Sequence, residues 1–145
     1  MNNIFQKLPD DLQSYIIPFT YSVQSSELLE DIRSFVSSKQ EVSYIYFRQW
    51  FDSCEEDLDK CWLVNDLFAF ANDYNPTLYG YLETCYTMFS RNIMLKSSHK
   101  RINEFLSKLE KETFNKKINV FWGLMTSEER TDFIDIANMK IRIIN

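Results

Sequence analysis

Glycine and proline are nearly missing, at two and three residues out of 145. Sandwiches and barrels depend on frequent tight turns with positive φ, which glycine normally supplies. This chain cannot make many, so helices joined by short Ser, Asn and Asp loops remain. Histidine occurs once, as His99. The three cysteines, Cys54, Cys61 and Cys85, are separated by six and twenty-three residues, with thirteen more before His99. Those spacings lack the short Cys-x-x-Cys knuckle of a structural zinc site. Gly80 and Gly123 stand too far apart for a phosphate-cradling loop. No apolar run approaches the ~20 residues of a membrane span. Residues 1–7 show no basic-then-apolar leader, so an intracellular protein with reduced thiols is expected.

The chemistry-bearing residues form no catalytic pattern. His99 lies in the basic run Lys96-Ser97-Ser98-His99-Lys100-Arg101. No spacing supports a nucleophilic pair with Ser98 or Cys85, and such pairs need a three-part geometry. A solvated histidine at a helix start is expected. Glu55, Glu56, Asp57 and Asp59 cluster, but a calcium loop also needs a central glycine and a different length. The expectation is no enzyme activity, no cofactor and no bound metal.

Aromatic residues are abundant: twelve Phe, eight Tyr and three Trp, 16% of the chain. Rings bring large burial per residue and also anchor interfaces. The net charge of -5 is unevenly spread. Residues 1–75 hold thirteen acids and five bases, whereas residues 91–117 hold eight bases and three acids. Such polarity can steer association with a charged partner.

Apolar spacing predicts helices along the chain. Leu12, Tyr15, Ile16 and Phe19 form one stripe, with Pro9 in its first turn. Ser25 or Ser26 caps a second helix, whose buried face is Leu28, Leu29, Ile32, Phe35 and Val36, and Ser37-Ser38-Lys39-Gln40 closes it. A third helix follows over Val42 to Phe51. A central helix runs from Lys60 to Tyr74, apolar around most of its circumference. Asn65 and Asn72 leave its opposite side and need hydrogen-bond partners if that side is covered. Tyr79, Leu82, Tyr86, Phe89 and Ile93 mark the next helix, with Gly80 inside it at a close backbone crossing. Ile102, Phe105, Leu106 and Leu109 then face inward, as do Ile118, Phe121, Trp122 and Met125. Thr126 and Glu129 form a capping box before a last helix lined by Phe133, Ile134 and Ala137. The fold class expected is all-α: a single compact bundle of about seven or eight helices over residues 1–145.

Leu8-Pro9-Asp10, Leu12, Ile16 and Leu28-Leu29, with Arg48-Gln49-Trp50 as a loose basic-Trp step, resemble an F-box over residues 8–50. Residues 51–145 supply the helical remainder of the same core. The whole chain resembles small F-box-like proteins of large nucleocytoplasmic DNA viruses of the mimivirus-like group. The residues concerned are Ile16-Ile17-Pro18-Phe19-Thr20-Tyr21, Asn65-Asp66-Leu67, Gly80-Tyr81 and Trp122-Gly123-Leu124. That resemblance implies a viral protein in the host cytoplasm or the virion. The function expected is a protein–protein interaction adaptor with a host or viral partner. Leu8, Pro9, Leu12, Ile16, Leu28 and Leu29 are its candidate contacts, an apolar helix pair lying in a partner's groove. The competing reading is that these residues cover the domain's own core. The alternatives are a minor virion component, a homo-oligomer, and a nucleic-acid-binding factor using Lys96, Lys100, Arg101, Lys108, Lys116 and Lys117.

Overall fold

The computed structural model describes residues 25–51, 57–95 and 98–144, and side chains as far as residue 140. Two compact units divide the chain, Met1–Ile32 and Arg33–Asn145. The described residues contain six α-helices, two 3-10 turns and no strand. The all-helical class is as expected; over the described residues six helices stand where seven were expected.

One reason is α1 (Ser26–Trp50), a single helix of 25 residues where two were expected. Its expected break at Ser37-Ser38 does not occur. Both hydroxyls bond back into the helix, Ser37 Oγ to the Arg33 carbonyl (3.1 Å) and Ser38 Oγ to the Ser34 carbonyl (2.5 Å). Serine here satisfies itself without leaving the helical conformation. No Gly or Pro interrupts the segment. In the first unit Ser25 Oγ accepts the Leu28 N–H (3.2 Å), the expected N-cap bond.

The second unit holds the described core. α2 (Leu58–Ala71) and α5 (Phe114–Leu124) pack closely against each other. Leu63 and Leu67 of α2 and Phe121 and Trp122 of α5 are fully buried. Phe121 meets Phe68 edge-on at 4.7 Å and Phe89 of α3 (Glu83–Ser90) at 5.4 Å. α4 (His99–Leu109) adds Ile102, Leu106 and Leu109, on the stripe its spacing predicts. α6 (Ser127–Ile144) brings Phe133 against Trp122 at 5.9 Å. Its capping box is reciprocal: the Glu129 N–H donates to Thr126 Oγ1 (3.2 Å), and the Thr126 N–H to Glu129 Oε2 (2.8 Å). Arg91 grips the same carboxylate through both Nη atoms, at 2.5 and 2.8 Å, and holds its pKa below the usual carboxylate range.

The segment after α2 departs from expectation. The helix stops at Ala71, and Asp73 (φ 49°) and Tyr74 (φ 56°) take left-handed backbone. Gly80 lies outside any helix, with φ 100° and open space where a Cβ would be. Its role is backbone conformation, not the close crossing expected. A 3-10 turn at Thr77–Tyr79 precedes it, and α3 begins only at Glu83. Asn72 organises this turn from a fully buried position. Its Nδ2 donates to the carbonyls of Asn75 (2.8 Å) and Gly80 (3.2 Å), and its Oδ1 accepts the Leu82 N–H (2.7 Å). Asn65, by contrast, is exposed.

Candidate docking face on the first helix

Successive residues of an α-helix turn by about 100°. On that geometry α1 has two apolar sides. Val42, Ile45 and Tyr46 lie on one, all buried. Polar groups fasten this side to other helices of the second unit. Tyr46 Oη donates to Asp66 Oδ2 of α2 (2.5 Å), which also pairs with Lys140 of α6 (2.9 Å). Ser38 Oγ accepts the Trp122 Nε1–H (3.1 Å), and the Ser34 and Ser127 hydroxyls bond at 3.0 Å. Lys39 reaches Asn119. Burial, then the Asp66 hydrogen bond, push the Tyr46 phenol well above its ordinary range.

The opposite side is open and, apart from Gln40, apolar. Val36, Gln40, Tyr44, Phe47 and Phe51 follow at i, i+4, i+8, i+11 and i+15, one per turn. Tyr44 is 60% exposed, Phe47 47% and Phe51 67%. Phe47 and Phe51 pack edge-on at 5.3 Å, and the Arg48 guanidinium lies over the Tyr44 ring at 5.9 Å. Sequence reasoning predicts a helix over Val42–Phe51 but does not divide its apolar residues between two sides. The signal was present: within one uninterrupted helix, positions 42, 45 and 46 cannot share a side with 44, 47 and 51.

Of the expected partner contacts, Leu8, Pro9, Leu12 and Ile16 lie outside the described residues. Leu28 and Leu29 are described in the first unit, on the opening turns of α1, and both are exposed, as is Ile32. They were expected on a buried face of the helix.

The basic set is dispersed in its engagements. Lys96 is outside the described residues. Lys100, Arg101 and Lys108 are exposed on α4, with Glu104 one turn from Lys100 and from Lys108. Lys116 pairs with Glu112 at 2.6 Å, and Lys117 Nζ sits over the Phe114 ring at 5.5 Å.

Among the described residues the chemistry-bearing side chains form no catalytic grouping. His99 opens α4 as expected, exposed and stacked on Tyr86 at 3.9 Å, its Nε2 3.8 Å from Glu83. Cys85 is buried, and burial pushes its thiol up to about 11, which leaves it protonated and unreactive at neutral pH. Cys61 is a free thiol, and Cys54 lies outside the described residues. A groove of about 440 Å³ runs between α2 and α5. Among the described residues it is lined by a carboxylate, Glu110, and an ammonium, Lys117, with neither His nor Cys. The described residues contain no cluster of three His, Cys, Asp or Glu able to hold a metal, and no helix long and apolar enough to cross a membrane. No protein-family model, no curated protein and no solved structure matches the chain.

Proposed function

We propose that this chain is a non-enzymatic protein–protein interaction adaptor of a large DNA virus, docking through its F-box-like 8–50 segment. The observation that carries the docking part is the outward apolar side of α1, where Tyr44 and Phe47 stand open to solvent while their neighbours Val42, Ile45 and Tyr46 are buried. Aromatic side chains held on a rigid helix make favourable anchors, because little conformational entropy is lost when a partner covers them. The viral context rests on the resemblance of residues such as Ile16-Ile17-Pro18-Phe19-Thr20-Tyr21.

The test is affinity purification of the tagged full chain from cells, comparing wild type with Leu28→Asp/Leu29→Asp and with Tyr44→Asp. Circular dichroism checks that each variant keeps its helix content. A specific protein recovered by wild type and lost in either folded variant supports the adaptor reading. Identical recoveries from all three chains overturn it.

A further inference from the structure

We infer that the outward side of α1 pairs with a second copy of this chain, antiparallel, about a two-fold axis passing beside Tyr44. This rests on the reading above that the face is a docking surface, and it names the occupant.

The stripe from Val36 to Phe51 spans about 22 Å along the helix. Its positions are spaced almost evenly about Tyr44, with Val36 and the polar Gln40 on one side and Phe47 and Phe51 on the other. Laid against itself in reverse, the helix brings Val36 opposite Phe51, Gln40 opposite Phe47, and Tyr44 beside its own copy. The flanking charges are centred within one residue of the same point. Glu41 and Arg48 are both exposed and lie along one edge of the stripe, three residues before Tyr44 and four after it. Antiparallel pairing therefore sets Glu41 of each copy opposite Arg48 of the other, twice. In a parallel pairing the two residues are separated by seven positions, about 10 Å along the axis, and the match is lost. A foreign partner has no reason to require such self-complementarity, whereas an isologous interface demands it. The aromatic centre supplies burial and the two charge pairs set direction and register. Arg48, already over the Tyr44 ring, sits where it can reach across the axis.

Purified wild-type protein is expected to shift with concentration from 17.4 kDa toward twice that mass in sedimentation equilibrium. Phe47→Glu is expected to hold it at the monomer mass with unchanged helix content. Glu41→Arg and Arg48→Glu are each expected to weaken self-association about tenfold, and the double exchange Glu41→Arg/Arg48→Glu to restore it. Higher salt is expected to weaken the wild-type dimer. A monomer at every concentration overturns the inference, as does a dimer indifferent to Phe47→Glu. Unequal single charge variants without rescue in the double exchange overturn the antiparallel register. The two readings fail separately: a monomeric wild type whose captured partner is lost in Tyr44→Asp removes self-pairing and keeps the adaptor.

Discussion

The two sides of α1 carry similar apolar side chains and meet opposite fates. Val42, Ile45 and Tyr46 are buried; Tyr44, Phe47 and Phe51 are exposed. Apolar content therefore does not decide which side of this helix goes inward. The polar groups differ. Ser34, Ser38, Lys39 and Tyr46 each reach a residue of another helix. Hydrogen bonds have fixed directions, so they single out one packing among several that apolar contact would permit.

The strongest way to break this contrast is a charge on each side. Val42→Asp places a carboxylate at a position with 0% exposure. The cost expected is about 3–5 kcal/mol, enough to abolish a cooperative melt in a domain of ordinary stability. Thermal circular dichroism checks it. A Val42→Asp chain melting like wild type would erase the distinction between the sides.

Tyr46→Phe tests the polar fastening. Losing the hydroxyl bond to Asp66 is expected to cost about 1–2 kcal/mol in urea unfolding, moderated because Lys140 still faces that carboxylate. The same change sharpens the pH behaviour. Burial, then Asp66, raise the Tyr46 pKa in the folded chain. The stability this confers is complete below the unfolded tyrosine value of about 10 and is lost as pH rises beyond it, because the unfolded chain ionises first. The melting temperature of wild type is expected to fall above about pH 10, less steeply in Tyr46→Phe. Some slope remains, since burial and the Glu110 hydrogen bond raise Tyr81 in the same direction.

Much of the second unit was legible in the sequence. The stripes Ile102/Leu106/Leu109 and Ile118/Phe121/Trp122, and the Thr126–Glu129 box, are local patterns whose meaning does not depend on distant residues. What escaped was non-local or conformational. Ser37 and Ser38 read as a helix end because serine favours turns, yet their hydroxyls close on carbonyls of the preceding turn. Gly80 read as a packing residue, while its positive φ ends one element before another starts. Asn72 is expected to need partners if its side is covered, but those at Asn75, Gly80 and Leu82 exist only once the turn forms. For the candidate site, Leu28 and Leu29 were singled out as contacts while the helix pattern placed them inward. Helical spacing alone separates 44, 47 and 51 from 42, 45 and 46, but which side goes inward depends on distant residues such as Asp66 and Trp122.

Ser38→Ala is expected to cost about 1 kcal/mol in urea unfolding, because the buried Trp122 Nε1–H loses its acceptor. Ser37→Ala removes a hydroxyl whose bonds, among the described residues, go to carbonyls of its own helix, at Arg33 and Ser34. That change is expected to be neutral or slightly stabilising, since alanine is the better helix former. Equal losses at both positions would mean that the tie to α5 contributes nothing specific.

The smallest effect is expected at Tyr44→Ala, measured in dilute protein where self-pairing does not contribute. Tyr44 is 60% exposed, and among the described residues its ring contact is the Arg48 guanidinium at 5.9 Å. An exposed cation–π contact is worth about 0.5 kcal/mol, and alanine's helix propensity returns a similar amount. The two should cancel to within about 0.5 kcal/mol in urea unfolding. A loss above about 2 kcal/mol would be the signature of a core residue, and the outward side of α1 would then be part of this domain's own interior. At higher concentration the same variant should melt below wild type by a margin that grows with concentration, because only the wild type gains from mass action when a second copy covers Tyr44.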